Sequence, residues 1–160
     1  MKRLLIMSTL FFALTLGIGA LELKVEQIKP NIVLANEHTG SVSTLIKKQS
    51  ILIDKIYKEK LSIARGIDSK TNRVALKKNI VLFEKVLNGL MEGDADLALL
   101  GTENKKLLKQ LKVIKKLWMP FKANILHSKF RNLYRKKFRL LKNINKSIKI
   151  DEISRKKDKN

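Results

Sequence analysis

Lys48, Gln49 and Ser50 place an ammonium, an amide and a hydroxyl side by side in an amphipathic segment, Leu45 to Asp68. Groups of these types can donate hydrogen bonds to a small anion held against a helix. A solvated lysine beside a buried or interfacial glutamine gives the same pattern. The second candidate lies near the C-terminus, where Arg131, Arg135, Arg139, Lys142, Lys146 and Lys149 recur by four and three. That spacing lines them along one side of a helix. Such a row can lie on anionic phospholipid headgroups or track a phosphate backbone. It is also what the solvated face of an amphipathic helix looks like.

Catalytic chemistry finds little support. The two histidines, His38 and His127, fall in or near connecting segments, and no paired-histidine metal motif or EF-hand loop is present. The run Met91 to Asp96, MEGDAD, lacks further spaced oxygen donors for calcium, and a helix end followed by a polar turn accounts for it. With no cysteine in the chain, disulfides, thiolate chemistry and cysteine-ligated zinc are excluded. No metal, no cofactor and no enzymatic activity are therefore expected.

These residues must be positioned by helices. The 160 residues are 44% hydrophobic, with only two prolines and seven glycines, which suits one packed domain. Lys2 and Arg3 followed by an apolar run through Leu16 and the small residues Gly17 to Ala20 read as an export signal, 1–20, cleaved after Ala20 or retained as an anchor. Residues 21–38 form a lead-in segment with no sustained period. A bundle is expected over 39–150 and a charged tail over 151–160. Its first helix places Val42, Leu45, Leu52, Ile56 and Ile63 inward, with Gln49 on the core side, and ends at Gly66. Ser69 or Thr71 caps a second helix with the ladder Leu76, Ile80, Phe83, Leu87, Leu90, closed by Gly93. The loop 94–102 offers Leu97, Leu99 and Leu100 as a cover over one end of the core. A third ladder, Leu107, Leu111, Ile114, Trp118, Phe121 and Ile125, contains Pro120, so a kink or break near Trp118 is expected. A fourth helix from about Ser128 would turn Phe130, Tyr134, Leu141, Ile144 and Ile148 inward. The expected fold is all-α, an antiparallel up-and-down four-helix bundle preceded by an N-terminal signal helix.

Taken in order, IKKQSILIDKIYKEKLSIARGID, FEKVLNGLMEGD, LKQLKVIKKLWMPF and LLKNINKSIKI resemble the N-terminal sensor domain of type IV pili methyl-accepting chemotaxis transducers. This PilJ-type domain is a relative of the periplasmic nitrate and nitrite sensor domain of NarX. The resemblance spans about Thr39 to Ile150 and rests chiefly on Phe83, Leu87, Leu90, Gly93 and Trp118. It implies an extracytoplasmic four-helix sensor bundle that pairs with a second copy through its first helix. A transmembrane helix and signalling modules usually follow in the family. Here the chain stops after the fourth helix, so a stand-alone accessory to a chemoreceptor or signalling system is expected.

The family's first helix commonly carries a run of glycine, arginine, glutamine, arginine, methionine and leucine. Lys47, Lys48, Gln49, Ser50, Ile51 and Leu52 stand there instead. In the nitrate-sensing relatives an arginine of this segment binds the planar anion. Serine and lysine lack the rigid guanidinium fork that matches a planar oxyanion, so nitrate is not expected to carry over.

Two functions are compatible with these features. One is a non-enzymatic, periplasmic sensor-like or binding module of PilJ type, with a small ligand or a signalling protein as partner and a possible homodimer through helix one. The other is a basic protein docked on anionic lipid through helix four, with Arg131, Arg135, Arg139 and Lys142 at the surface. The balance of 35 basic to 14 acidic residues, net +21, favours anionic partners in either case. The export signal argues against nucleic acid.

Overall fold

The computed structural model describes residues 41–127 and 130–158. The expected signal, the lead-in segment and His38 lie outside them. The described residues form four helices, α1 (Val42–Ala64), α2 (Ser69–Glu92), α3 (Lys105–Leu126) and α4 (Leu133–Lys157), packed as an all-α four-helix bundle. No helix among these residues is long and apolar enough to cross a membrane.

The core follows the expected ladders closely in α2 and α3. Leu76, Ile80, Phe83, Leu87 and Leu90 are buried, as are Leu107, Leu111, Ile114, Trp118, Phe121 and Ile125. In α1 the most buried positions are Ile46, Gln49, Ile53 and Ile56, while Val42, Leu45 and Ile63 only flank the core. On α4, Ile144 and Ile148 are buried as expected and Leu141 packs partly buried against the core, but the start of the helix presents a different face. Leu133, Leu140, Ile144, Ser147 and Ile148 point inward, and Phe130 and Tyr134 are exposed. The expected face lay one residue off at 134 and 141, a rotation of about 100° per residue on a helix.

Several ends differ from expectation. α1 stops at Ala64 with Arg65 as its cap and Gly66 beyond it at φ 74°. α2 begins at Ser69, and its cap position is Asp68 in the left-handed region, with no side-chain cap bond; Asn72 Nδ2 closes the turn by donating to the Ile67 and Asp68 carbonyls. α3 runs through Pro120 without a break. The ring removes one backbone bond, but Trp118, Phe121 and Ile125 anchor the helix on both sides of it. α4 begins at Leu133, later than expected, and continues to Lys157, so 151–157 are helix rather than tail.

Side-chain bonds tie the helices together at defined levels. The Ser43 amide donates to the buried Asp151 carboxylate at 3.1 Å, and Arg155 bonds both Asp151 and Ser43. Asn104 caps α3 by accepting from the Lys106 and Leu107 amides, and its Nδ2 donates to Ser154 Oγ at 2.6 Å. Asn79 on α2 donates to Glu59 on α1 at 2.6 Å. Lys137 pairs with Asp54 at 2.7 Å and lies 4.6 Å from the Tyr57 ring centroid.

Between α2 and α3 the loop folds back as expected, with Leu97 against the core, although Leu100 is fully exposed. Gly93 closes α2 at φ 91°, and Asp94 and Leu99 exchange backbone bonds of 2.8 and 2.9 Å. Gly101 sits at φ 79°, and a Cβ there would lie 2.8 Å from the Gly93 nitrogen. Because that neighbour is backbone, it cannot swing aside. Gly101→Ala is expected to lower stability by about 1–3 kcal/mol from backbone strain, measurable as a reduced urea midpoint.

Candidate functional site

The three residues proposed on α1 do not converge. Helical spacing sends Gln49 into the bundle, where it is 2% exposed, while its neighbours lie to either side. The Ser50 hydroxyl donates back to the Lys47 carbonyl at 2.7 Å, which satisfies it within its own helix. Lys48 is half-buried and already engaged. No three-pronged anion cradle is assembled from these side chains.

Gln49 has a different significance. Among the described residues neither its Oε1 nor its Nε2 has a hydrogen-bond partner. A buried, unpaired amide loses its hydration without compensation, at a cost of about 1–3 kcal/mol. Gln49→Leu is therefore expected to raise stability by about that amount, read as an increased urea midpoint. A decrease would mean that the amide is satisfied in solution by an internal water or ligand.

α4 carries five of the six residues of the proposed basic row, and Arg131 lies in the turn just before it, ahead of Asn132 at φ 64°. Arg131, Arg135, Arg139, Lys142, Lys146 and Lys149 are all exposed. None pairs with a carboxylate of the described residues. From Leu133 to Ile150 the helix contains no aspartate or glutamate, so the positive potential is uninterrupted along that length. Two neighbouring bases face inward to other helices. Lys136 donates to Asn124 Oδ1 and the Pro120 carbonyl, and Lys137 takes Asp54. Thus α4 uses Lys136 and Lys137 to hold the bundle and leaves Arg135, Arg139, Lys142, Lys146 and Lys149 exposed.

The clusters around the carboxylates do structural work. Glu84 accepts from Trp118 Nε1 at 2.8 Å and from Lys122 Nζ at 2.7 Å. Glu59 comes nearer to a tuned carboxylate than its position in the sequence suggests. Burial raises its pKa above the ordinary range, against the opposing pull of the Asn79 bond and Lys55. Its Oε2 is buried without a partner among the described residues. Beside it, burial draws the Lys60 pKa down, helped by the Arg73 charge. No nucleophile or second carboxylate completes a catalytic set with Glu59 in the contacts described. His127 is exposed at the end of α3, and no group of metal-ligating side chains occurs among the described residues.

Sequence reasoning missed the Ser43–Asp151–Arg155 clip. Its only sequence signal was the i, i+4 spacing of Asp151 and Arg155, in a segment read as tail. No family model, curated protein or solved structure matches the chain.

Proposed function

We propose that the chain is a non-enzymatic, exported binding or sensory accessory module of PilJ type, built as an antiparallel up-and-down bundle. The packing of the residues that carry the resemblance is the observation that supports it. Phe83 and Trp118 meet with ring centroids 4.3 Å apart, Leu87 and Leu90 continue the same buried face, and Gly93 ends the helix that bears them. The cross-helix bonds Ser43 to Asp151, Glu59 to Asn79 and Gln110 to Asn143 fit neighbouring helices that run in opposite directions.

In this reading a small ligand engages the amide of Gln49, and nitrate is not that ligand because Ser50 supplies no guanidinium. A thermal-shift screen with oxyanions and organic acids tests it. Nitrate is expected to leave Tm unchanged, while a true ligand raises Tm in the native chain and not in Gln49→Leu. A flat response across the panel would remove the small-ligand form and leave a protein partner.

The exposed basic row from Arg131 along α4, without a carboxylate partner among the described residues, favours a second reading, peripheral docking on anionic lipid headgroups. Arg131, Arg135, Arg139 and Lys142 form its contact surface. Sedimentation with anionic vesicles is the corresponding test.

A further inference from the structure

Two turns of the bundle lie side by side. The Lys60 ammonium near the end of α1 is 5.7 Å from the Phe130 ring centroid, and Lys137 near the start of α4 reaches Asp54. The α1–α2 turn and the segment entering α4 are therefore at one end of the molecule. That end exposes large apolar and aromatic side chains: Ile67 is 55% exposed, Leu126 54%, Phe130 41% and Tyr134 66%. Exposed Arg65, Arg131 and Arg135 lie within two residues of Ile67, Phe130 and Tyr134 in the chain.

Single exposed apolar residues need no explanation, but a group rimmed by cations does. Aromatic and aliphatic side chains beside arginines suit the boundary between headgroups and acyl chains, where the rings enter and the guanidiniums stay with phosphate. Charge complementarity points to an anionic bilayer as the occupant.

We infer that this end of the bundle enters an anionic bilayer, with Ile67, Leu126, Phe130 and Tyr134 reaching the acyl boundary. The inference rests on the lipid reading of α4 and adds an orientation and an apolar contribution to it. Docking by charge alone would vanish at high salt, whereas inserted side chains leave a residual that salt does not remove.

The chain has no cysteine, so single labels can be placed cleanly. Ile67→Cys, Leu126→Cys and Leu100→Cys, each carrying an NBD fluorophore, are mixed with phosphatidylglycerol–phosphatidylcholine vesicles and with phosphatidylcholine alone. Leu100 is fully exposed in the α2–α3 loop and serves as the distant position. Emission is expected to rise about twofold at 67 and 126 on anionic vesicles and to stay unchanged at 100. Combining Ile67→Ser, Leu126→Ser and Phe130→Ser is expected to weaken partitioning about tenfold and abolish the salt-resistant fraction. Anionic-dependent sedimentation with no emission change at 67 or 126 would overturn insertion and leave charge-driven docking standing. An equal rise at 100 would overturn the orientation. Absence of both sedimentation and emission change would overturn the lipid reading together with this inference, and the exposed end would then face a protein.

Discussion

Trp118→Ala is expected to destabilise the bundle by about 3–5 kcal/mol, the range for emptying a large buried aromatic site. Trp118 is 1% exposed and lies between Phe83, at 4.3 Å between ring centroids, and Phe121, at 5.8 Å. Removing the indole breaks both ring contacts and leaves a cavity between α2 and α3. The lost bond to Glu84 adds little, because that carboxylate keeps Lys122 and is about a third exposed, so water can replace the donor. Trp118→Phe separates the two effects. It keeps a ring against Phe83 and gives up only the Nε1 bond and part of the volume, for an expected cost of about 1–2 kcal/mol. Urea unfolding followed by far-UV circular dichroism reads both variants without relying on tryptophan emission. A loss below about 1 kcal/mol for Trp118→Ala would show that the site collapses around the gap, contrary to its close packing.

The ladders that produce this packing were legible because Leu76, Ile80, Phe83, Leu87 and Leu90 in α2, and Leu107, Leu111, Ile114, Trp118, Phe121 and Ile125 in α3, recur by four and three without a break. α4 gave no such constraint. Leu133 is followed by Tyr134, Phe138 precedes Arg139, and Leu140 adjoins Leu141, so two faces one residue apart carry similar apolar content. Tertiary volume decided between them: the seam accepts Leu133, Leu140 and Ile144, and the rings of Tyr134 and Phe138 are turned outward, at 66% and 60% exposure. The C-terminal limit failed for a related reason. Residues 151–157 read as a polar tail, but the partner that orders Asp151 is the Ser43 amide at the far end of the sequence. Pairing across that separation leaves no local pattern. At the candidate site the direction of Gln49 was legible from its spacing, while its lack of a partner was not, since hydrogen-bond satisfaction depends on every helix packed around it.

Reversing Arg131, Arg135 and Arg139 to glutamate is expected to reduce anionic-vesicle binding by more than about hundredfold at low salt, since each basic residue near such a surface contributes about 1 kcal/mol and reversal adds repulsion. The measured quantity is the sedimented excess over phosphatidylcholine alone, which sets aside any contribution of the apolar segment Leu4 to Leu16. Stability should change little, within about 0.5 kcal/mol, because the three side chains are exposed and make no ion pair with the described residues. The contrast with Lys137→Glu isolates position from charge. Lys137 is held between Asp54 and the Tyr57 ring, so its reversal should cost stability through repulsion inside the α1–α4 seam while changing vesicle binding far less than the triple variant. Undiminished binding by a folded triple variant would remove the α4 row from the lipid contact. Loss of binding with unchanged unfolding would assign those arginines to recognition, on a helix whose opposite face independently specifies the bundle.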